Sequence, residues 1–241
     1  MNRRTLFKAL PLAVALIVAG LSACQSAVAA SDAASDAGAV PAPKVDAPKA
    51  SAPTDQVAVL AGGCFWGMES VFDHVKGVHK VEAGYSGGAA STATYDQVSD
   101  GDTGHAESIR VQFDPSQISY GQLLQVYFSV PVNPTELNRQ GPDSGTQYRS
   151  VIFFNSPEQQ KVASSYIAQL TAAKTFHGPI VTQVVPLKAF YPAEAYHQNY
   201  AELHPDNPYI AYNDAPMVSN LKKLFPAIYK DEQHVVDVQL H

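Results

Sequence analysis

The sequence predicts an α+β chain: a two-layer sandwich whose mixed sheet has a split βαβ core, is covered by helices and carries long functional loops. Three observations predict it. From Val57 onward, strand-like and helix-like runs follow one another without an internal repeat, in the order strand, helix, strand, strand, helix, strand, helix, strand. The run Glu107 to Phe113 alternates strictly, as a half-buried strand does, and Tyr148 to Phe154 is apolar on both faces, as a central strand is. In chain order, Val57 to Leu60 reads as the first strand and Gly62-Gly63 as a tight turn. Phe65, Met68, Phe72 and Val75 then recur at helical spacing over about three turns. Val78 to Tyr85 is the second strand. In the third, Ile109, Val111 and Phe113 share one face and Ser108, Arg110 and Gln112 the other, until Asp114-Pro115 ends it. Ser119 with Gln122 forms a capping box ahead of Leu123, Leu124, Tyr127 and Phe128. After the central strand, Ser156-Pro157 with Gln159 opens a helix carrying Val162, Tyr166 and Leu170. Val181 to Leu187 supplies one more strand, with Pro186 marking its end or an edge. The pattern is that of a ferredoxin-like split βαβ sheet.

Two stretches have no assigned element, Ser86 to Gly104 and Ser129 to Gln147. Loops of that length inside a compact domain are usually functional or disordered, and both are candidates for the walls of a site around Cys64.

The N-terminal residues set the compartment. Met1 to Lys8 is basic, and Ala9 to Leu21 is an apolar core too short to span a bilayer comfortably, so residues 1–24 read as a signal peptide. Two cleavage readings stand. Leu21-Ser22-Ala23-Cys24 resembles the bacterial lipoprotein box and is favoured, because a cysteine at that spacing is otherwise hard to explain. Ala27-Val28-Ala29 resembles an ordinary site that would release a soluble protein. Arg3-Arg4 leaves twin-arginine export open beside the general route. Residues 25–56 are almost entirely Ala, Ser, Asp, Pro and Lys and predict a flexible tether. Residues 57–211 then form the catalytic domain and 212–241 a C-terminal extension with a short amphipathic helix at Pro216 to Phe225. The expected location is the bacterial cell envelope, facing the periplasm, lipid-anchored at Cys24 or alternatively soluble in the periplasm or secreted, and a monomer is expected. The only membrane contact expected is that N-terminal anchor. A net charge of -6 with no clustered basic stripe argues against a nucleic-acid partner.

Cys64 is the only cysteine beyond Cys24, and it stands where the glycine turn meets a helix N-terminus. Unsatisfied N-H groups there favour a thiolate, so a lowered thiol pKa and a nucleophilic role are expected. An unpaired thiol in an exported domain is otherwise a liability. Glu107 has the parity of Ile109, Val111 and Phe113. If it follows them into the core its pKa rises and it becomes a proton donor near neutral pH; at the strand's end it could equally reach solvent. His105-Ala106-Glu107 matches the H-x-E element of zinc deaminases, but the chain lacks the P-C-x-x-C partner. His197 and His204 are expected on a solvated face. No metal and no cofactor are expected.

Gly63-Cys64-Phe65-Trp66-Gly67, Gly84-Tyr85-Ser86-Gly87-Gly88, Gly101-Asp102-Thr103-Gly104-His105-Ala106-Glu107, Asn138-Arg139-Gln140-Gly141, Gly145-Thr146-Gln147-Tyr148-Arg149-Ser150 and Ala193-Glu194-Ala195-Tyr196-His197-Gln198 occur in this order. Over residues 57 to 211 the chain thereby resembles the peptide methionine sulfoxide reductase A family. The resemblance implies a peptide-methionine (S)-S-oxide reductase that returns the S epimer of methionine sulfoxide, free or in peptides and proteins, to methionine. It implies Cys64 as the nucleophile that becomes a sulfenic acid and Glu107 as the acid. It implies Tyr95 and Tyr148 as hydrogen-bond donors to the sulfoxide oxygen, Phe65 and Trp66 as the apolar cradle for the S-methyl group, and Asp143 as a supporting carboxylate. Repair of oxidised envelope proteins is the expected role.

The chain departs from the family pattern in two places. Many members resolve the sulfenic acid with further cysteines near the C-terminus, and none follows Cys64 here. A thioredoxin-like protein, a glutaredoxin-like protein or a small thiol is therefore the expected reductant. Asn133 stands before Pro134 where an acidic residue is frequent. Two rival readings remain: a thiol peroxidase, which would need an arginine beside the thiol, and a non-catalytic envelope lipoprotein, which would not need Cys64.

Overall fold

The computed structural model of the chain describes residues 38–231. The signal peptide, both cleavage sites, the export signal and residues 25–37 of the tether lie outside the described residues, as does 232–241. The elements are β1 (Gln56–Ala61), α1 (Phe65–Asp73), β2 (Val78–Ser86), α2 (Tyr95–Ser99), β3 (Ala106–Phe113), α3 (Tyr120–Ser129), β4 (Arg139–Gln140), β5 (Asp143–Ser144), β6 (Val151–Phe154), α4 (Pro157–Ala172), β7 (Gln183–Pro186), β8 (Phe190–Pro192), α5 (Tyr200–Leu203) and α6 (Ala215–Leu224).

Six strands form one mixed sheet in the order β7-β6-β1-β3-β2-β8. β3 runs antiparallel to both β1 and β2, so those two are parallel with β3 inserted between them and α1 as their crossover, which is the expected split βαβ unit. β6 pairs antiparallel with β1, and α4 carries the chain to β7, the parallel edge strand that ends at Pro186. Strict alternation on β3 puts Ile109, Val111 and Phe113 on the helix-covered face. There they join Ala58 and Leu60 of β1, Ala83 and Tyr85 of β2, Phe65, Met68 and Phe72 of α1 and Leu123, Leu124 and Tyr127 of α3 in the main core. Side chains of this kind contribute roughly 1.5–3 kcal/mol each when fully buried. The opposite face carries a smaller cluster of Val59, Ala61, Ala106, Val151 and Phe153.

Local signals fix the helix starts. The Ser119 hydroxyl accepts the Gln122 N-H at 3.2 Å while the Gln122 side chain accepts the Ser119 N-H at 3.0 Å, completing the capping box of α3. Ser156 accepts the Gln159 N-H at 3.2 Å at the start of α4, with Pro157 in its first turn.

Four expectations need correction. The helix after Cys64 ends at Asp73, and Val75 instead forms an isolated bridge with Tyr229. Tyr148 closes a 3-10 turn, Thr146–Tyr148, and β6 starts only at Val151, because Gly145 at φ 144 breaks the extended run just ahead of it. The tether is not free over 38–56. Val40 is buried, its N-H donates to the Ser129 hydroxyl at 3.1 Å, and its carbonyl accepts from the Gln125 side chain. Tyr166 donates to the Pro41 carbonyl at 2.6 Å, and Asp46 accepts from the Gly121 N-H at 2.7 Å and from the Ser119 hydroxyl. A chain poor in apolar residues can still be ordered when amides and hydroxyls of a neighbouring helix pair take up its backbone groups. The catalytic domain also does not stop at 211: Leu221 of α6 is fully buried in the main core, with Met217 and Phe225 against it.

Candidate active site

Cys64 caps α1 at the end of the β1 turn. Gly63 has φ +99, and a Cβ on it would lie 2.9 Å from the Gln140 Cγ; a Cβ on Gly62 would lie 2.5 Å from the Val132 Cγ2. The segment 129–147 is thus pressed against the glycine turn, which only glycine permits. The Gly63 N-H donates to the Tyr148 carbonyl at 3.2 Å and brings that tyrosine to the thiol. Asn133, the departure from the family pattern, caps its own turn by accepting from the Thr135 N-H and hydroxyl. Cys64 is partly exposed and unpaired.

Glu107 follows its strand parity inward. It is 3 % exposed, and its Oε2 accepts the Phe65 N-H at 3.0 Å, one residue from the thiol. Burial pushes its carboxyl up to about 8, against the pull of the Phe65 bond, with the Asp143 charge adding to the rise. The acid therefore holds its proton at neutral pH.

The thiol runs contrary to expectation. Burial first, then the carboxyls of Glu107 and Asp214, push Cys64 well above the ordinary thiol range, while the Trp66 N-H pulls the other way. The helix end does point at the sulfur, but the Phe65 N-H is committed to Glu107, and the carboxyl charges around Cys64 oppose a thiolate. The resting site holds a thiol and a carboxylic acid.

The other expected residues converge. Tyr95 lies at the start of α2; its N-H donates to Glu194 at 2.9 Å and its ring centroid is 4.3 Å from that of His197. Burial first, and then the charge of Glu107, raises both Tyr95 and Tyr148, and Cys64 adds to the rise in each, which keeps both phenols as donors beside acid and thiol. Phe65 is buried, 6.4 Å ring to ring from Trp66. Asp143 on β5 accepts from the Tyr209 hydroxyl. Arg149 is spent on structure: its guanidinium donates to the carbonyls of Gly104, His105 and Thr146 and so fixes the turn ahead of Glu107.

Sequence reasoning missed the far wall. His197, expected on a solvated face, is 2 % exposed and accepts the Trp66 indole N-H at 3.2 Å on Nδ1, whereas His204 is exposed. Tyr200 stacks on Trp66 at 3.9 Å and 12°, and Tyr209 meets it edge-on at 6.1 Å. Glu194 ties Tyr85 to the Tyr95 turn, accepting the Tyr85 hydroxyl at 2.8 Å. Asp214, placed by sequence in the extension, is 1 % exposed, and its Oδ1 lies 2.6 Å from where a Cβ of Gly67 would be. Burial raises it to about 7. The one available signal was the density of aromatic residues from Phe190 to Tyr212. Among the described residues no group of three or more His, Cys, Asp or Glu side chains is placed to hold a metal ion.

This arrangement presents a nucleophilic sulfur, a proton donor and two phenols on one side and an aromatic wall on the other. It suits a small substrate with a polar, basic oxygen next to an apolar group.

Comparison with known proteins gives the same answer as the motifs. Residues 56–228 match the family model described as peptide methionine sulfoxide reductase. The chain is 57% identical over 186 residues to peptide methionine sulfoxide reductase MsrA 2 of Mesorhizobium japonicum, covering 77% of this chain and 95% of that one. It is 48% identical over 188 residues to the MsrA 2 of Synechocystis, covering 77% and 88%. Among solved structures, Mxr1 of Saccharomyces cerevisiae in reduced form aligns with a TM-score of 0.57 at 33% identity, over 68% of this chain and 91% of that one. Methionine sulfoxide reductase A of Corynebacterium diphtheriae aligns with a TM-score of 0.54 at 30% identity, over 73% and 91%.

Proposed function

The chain belongs to the peptide methionine sulfoxide reductase family, and from that premise we propose that Cys64 attacks the sulfur of S-methionine sulfoxide while Glu107 supplies the proton its oxygen needs. The enzyme is a thiol-dependent methionine sulfoxide reductase. The observation that carries the residue roles is the pairing of a buried, protonated Glu107 with the Phe65 N-H, one residue from Cys64.

A sulfoxide oxygen is basic and a poor leaving group, so it must gain a proton as the S-O bond breaks. Glu107 donates its proton to that oxygen, with the Tyr95 and Tyr148 hydroxyls as further donors, and the carboxylate so formed takes the proton of the Cys64 thiol. Two electrons pass from the Cys64 sulfur to the substrate sulfur. The hydroxyl then passes from the substrate sulfur to the Cys64 sulfur as the S-S bond formed by the attack breaks with its electron pair on the substrate, so methionine leaves as the thioether and Cys64 is left as a sulfenic acid. Glu107 ends as it began, so a thiol with a raised pKa is no obstacle: it is deprotonated only when the substrate oxygen has taken up the acid's proton. Phe65 and Trp66 offer the S-methyl group a dry wall, and a pocket with oxygen and methyl on different sides accepts one epimer.

Without a cysteine after Cys64, a first external thiol displaces water from the sulfenic acid to give a mixed disulfide, and a second restores Cys64 and leaves as the disulfide. A thioredoxin-like protein is the proposed donor. The proposed setting is the periplasmic side of a bacterial envelope, with a monomer anchored through lipidated Cys24 and acting on oxidised envelope proteins.

A peroxidase needs a thiolate and a cation to polarise the peroxide. Here the titratable groups that act on Cys64 are carboxyls and none is a cation, and Arg149 is taken up by three carbonyls, so the rival reading loses its support. The test is incubation with dithiothreitol and each epimer of a blocked methionine sulfoxide. The S epimer should yield methionine, and equal turnover of both epimers or of neither sinks the proposal.

A further inference from the structure

Glu69 stands one helical turn beyond Trp66 on α1, below the surface at 1 % exposure, and takes no part in the chemistry above. Its Oε2 accepts the Asn199 N-H at 2.9 Å. Asn199 is in the left-handed region at φ 55 and ψ 28, a conformation few non-glycine residues hold without outside support. The next residue, Tyr200, opens α5 and lays its ring on Trp66. On the other flank Gln198 is clamped to β2, accepting the Ala83 N-H at 2.9 Å and donating to the Ala83 and Ala193 carbonyls at 3.0 Å. The Glu69 bond ties the turn to the helix that carries Trp66.

We propose that Glu69 is a positioning residue for substrate recognition: by holding the Asn199 N-H it fixes the left-handed turn that stacks Tyr200 on Trp66 and so sets the wall facing the substrate methyl group.

This rests on the reductase reading for its kinetic consequence. Its structural half does not. The chemistry of the position fits a carboxyl that stays neutral. Burial, and then the Asp73 charge, hold Glu69 well above the ordinary carboxylate range, and Glu202, Asn199, Ser70 and Asp73 line the small cavity it borders together with Trp66. A neutral acid and an amide offer the same acceptor, so glutamine should serve and leucine, of similar volume but without an acceptor, should not. Gln198 keeps the turn attached in either case.

Trp66 is the only tryptophan in the chain, so its emission reports the stack directly. Glu69→Leu is expected to change the Trp66 emission, raise KM for S-methionine sulfoxide about tenfold and leave kcat within about twofold, because the wall binds methyl in ground and transition states alike. Glu69→Gln should match wild type in both readouts. Tyr200→Leu should reproduce the Glu69→Leu pattern, and the double variant should be no worse than either single one, since both act through one contact. Additive KM effects, a Glu69→Leu protein with wild-type emission and KM, or a Glu69→Gln protein as impaired as Glu69→Leu would each overturn the proposal. If Glu69→Leu does not fold, Tyr200→Leu alone decides: wild-type emission and KM there also overturn it. A wild type that turns over no sulfoxide defeats the reductase reading instead, and the emission comparison still judges the turn.

Discussion

The two sides of the Cys64 site are built by different means. Cys64, Phe65 and Glu107 stand on the start of α1 and on β3, elements of the split βαβ unit whose apolar faces make the main core. Opposite them, His197, Tyr200, Tyr209 and Asp214 stand on short turns and on a one-turn helix between β8 and α6. The first side is held by packing. The second is held by individual polar bonds, buried or half-buried: Glu194 to Tyr85 and Tyr95, Gln198 to Ala83, Glu69 to Asn199, Asp143 to Tyr209. The difference divides the labour of the enzyme. Proton transfer over a hydrogen-bond length needs atoms that do not drift, whereas recognition of a methyl group tolerates a wall tied down at a few points.

Variants on the two sides should therefore fail differently, and the largest effects should come from the packed side. Cys64→Ser is expected to abolish turnover, a loss on the order of 10³-fold or more, measured as methionine formed under saturating thiol. Glu107→Gln should lower kcat by about 10²–10⁴-fold with KM little changed. Wild-type kcat/KM should also fall as pH rises through about 8, where the free enzyme loses the Glu107 proton, and that limb should vanish in the Gln variant. Trp66→Leu, which takes away the ring that Tyr200 and Tyr209 of the turn-built side pack against, should raise KM roughly tenfold while kcat holds. A comparable kcat loss on both sides would dissolve the distinction.

Smaller effects sharpen it. Glu107 is raised from 4.5 unfolded to about 8 folded, so between these values the native state binds the extra proton and stability declines as pH increases. Glu107→Gln should consequently be more stable than wild type at pH 9 by up to about 5 kcal/mol and show little advantage at pH 4, as denaturant titrations at the two pH values would reveal. The smallest effect belongs to the strap over 38–56. Asp46→Ala removes the acceptor for the Gly121 N-H and the Ser119 hydroxyl, and about 1 kcal/mol, or ~2–4 °C in Tm, should be lost with activity intact.

The packed side was also the legible one. Strict alternation on β3 carried Glu107 inward with Ile109, Val111 and Phe113, and the Ser119 and Ser156 caps marked the helix starts to the residue. His197, Tyr200 and Asp214 were not legible, because their positions follow from long-range bonds such as Glu69 to Asn199 that no local period encodes. The strap was missed for a related reason: the amides and hydroxyls that hold it are on α3 and α4, far along the chain. The direction of the Cys64 shift failed because a helix N-terminus is visible in sequence, while the loss of solvent around the thiol and the approach of Glu107, Asp214 and Asp143 to it are not.

The most direct test of the Cys64–Glu107 chemistry is a single-turnover experiment without reductant: enzyme mixed with excess S epimer, methionine quantified and the Cys64 peptide weighed. One equivalent of methionine and a Cys64 heavier by one oxygen atom are expected, both formed far more slowly in Glu107→Gln. Methionine released while Cys64 stays unmodified, or at an undiminished rate without the Glu107 carboxyl, would contradict it.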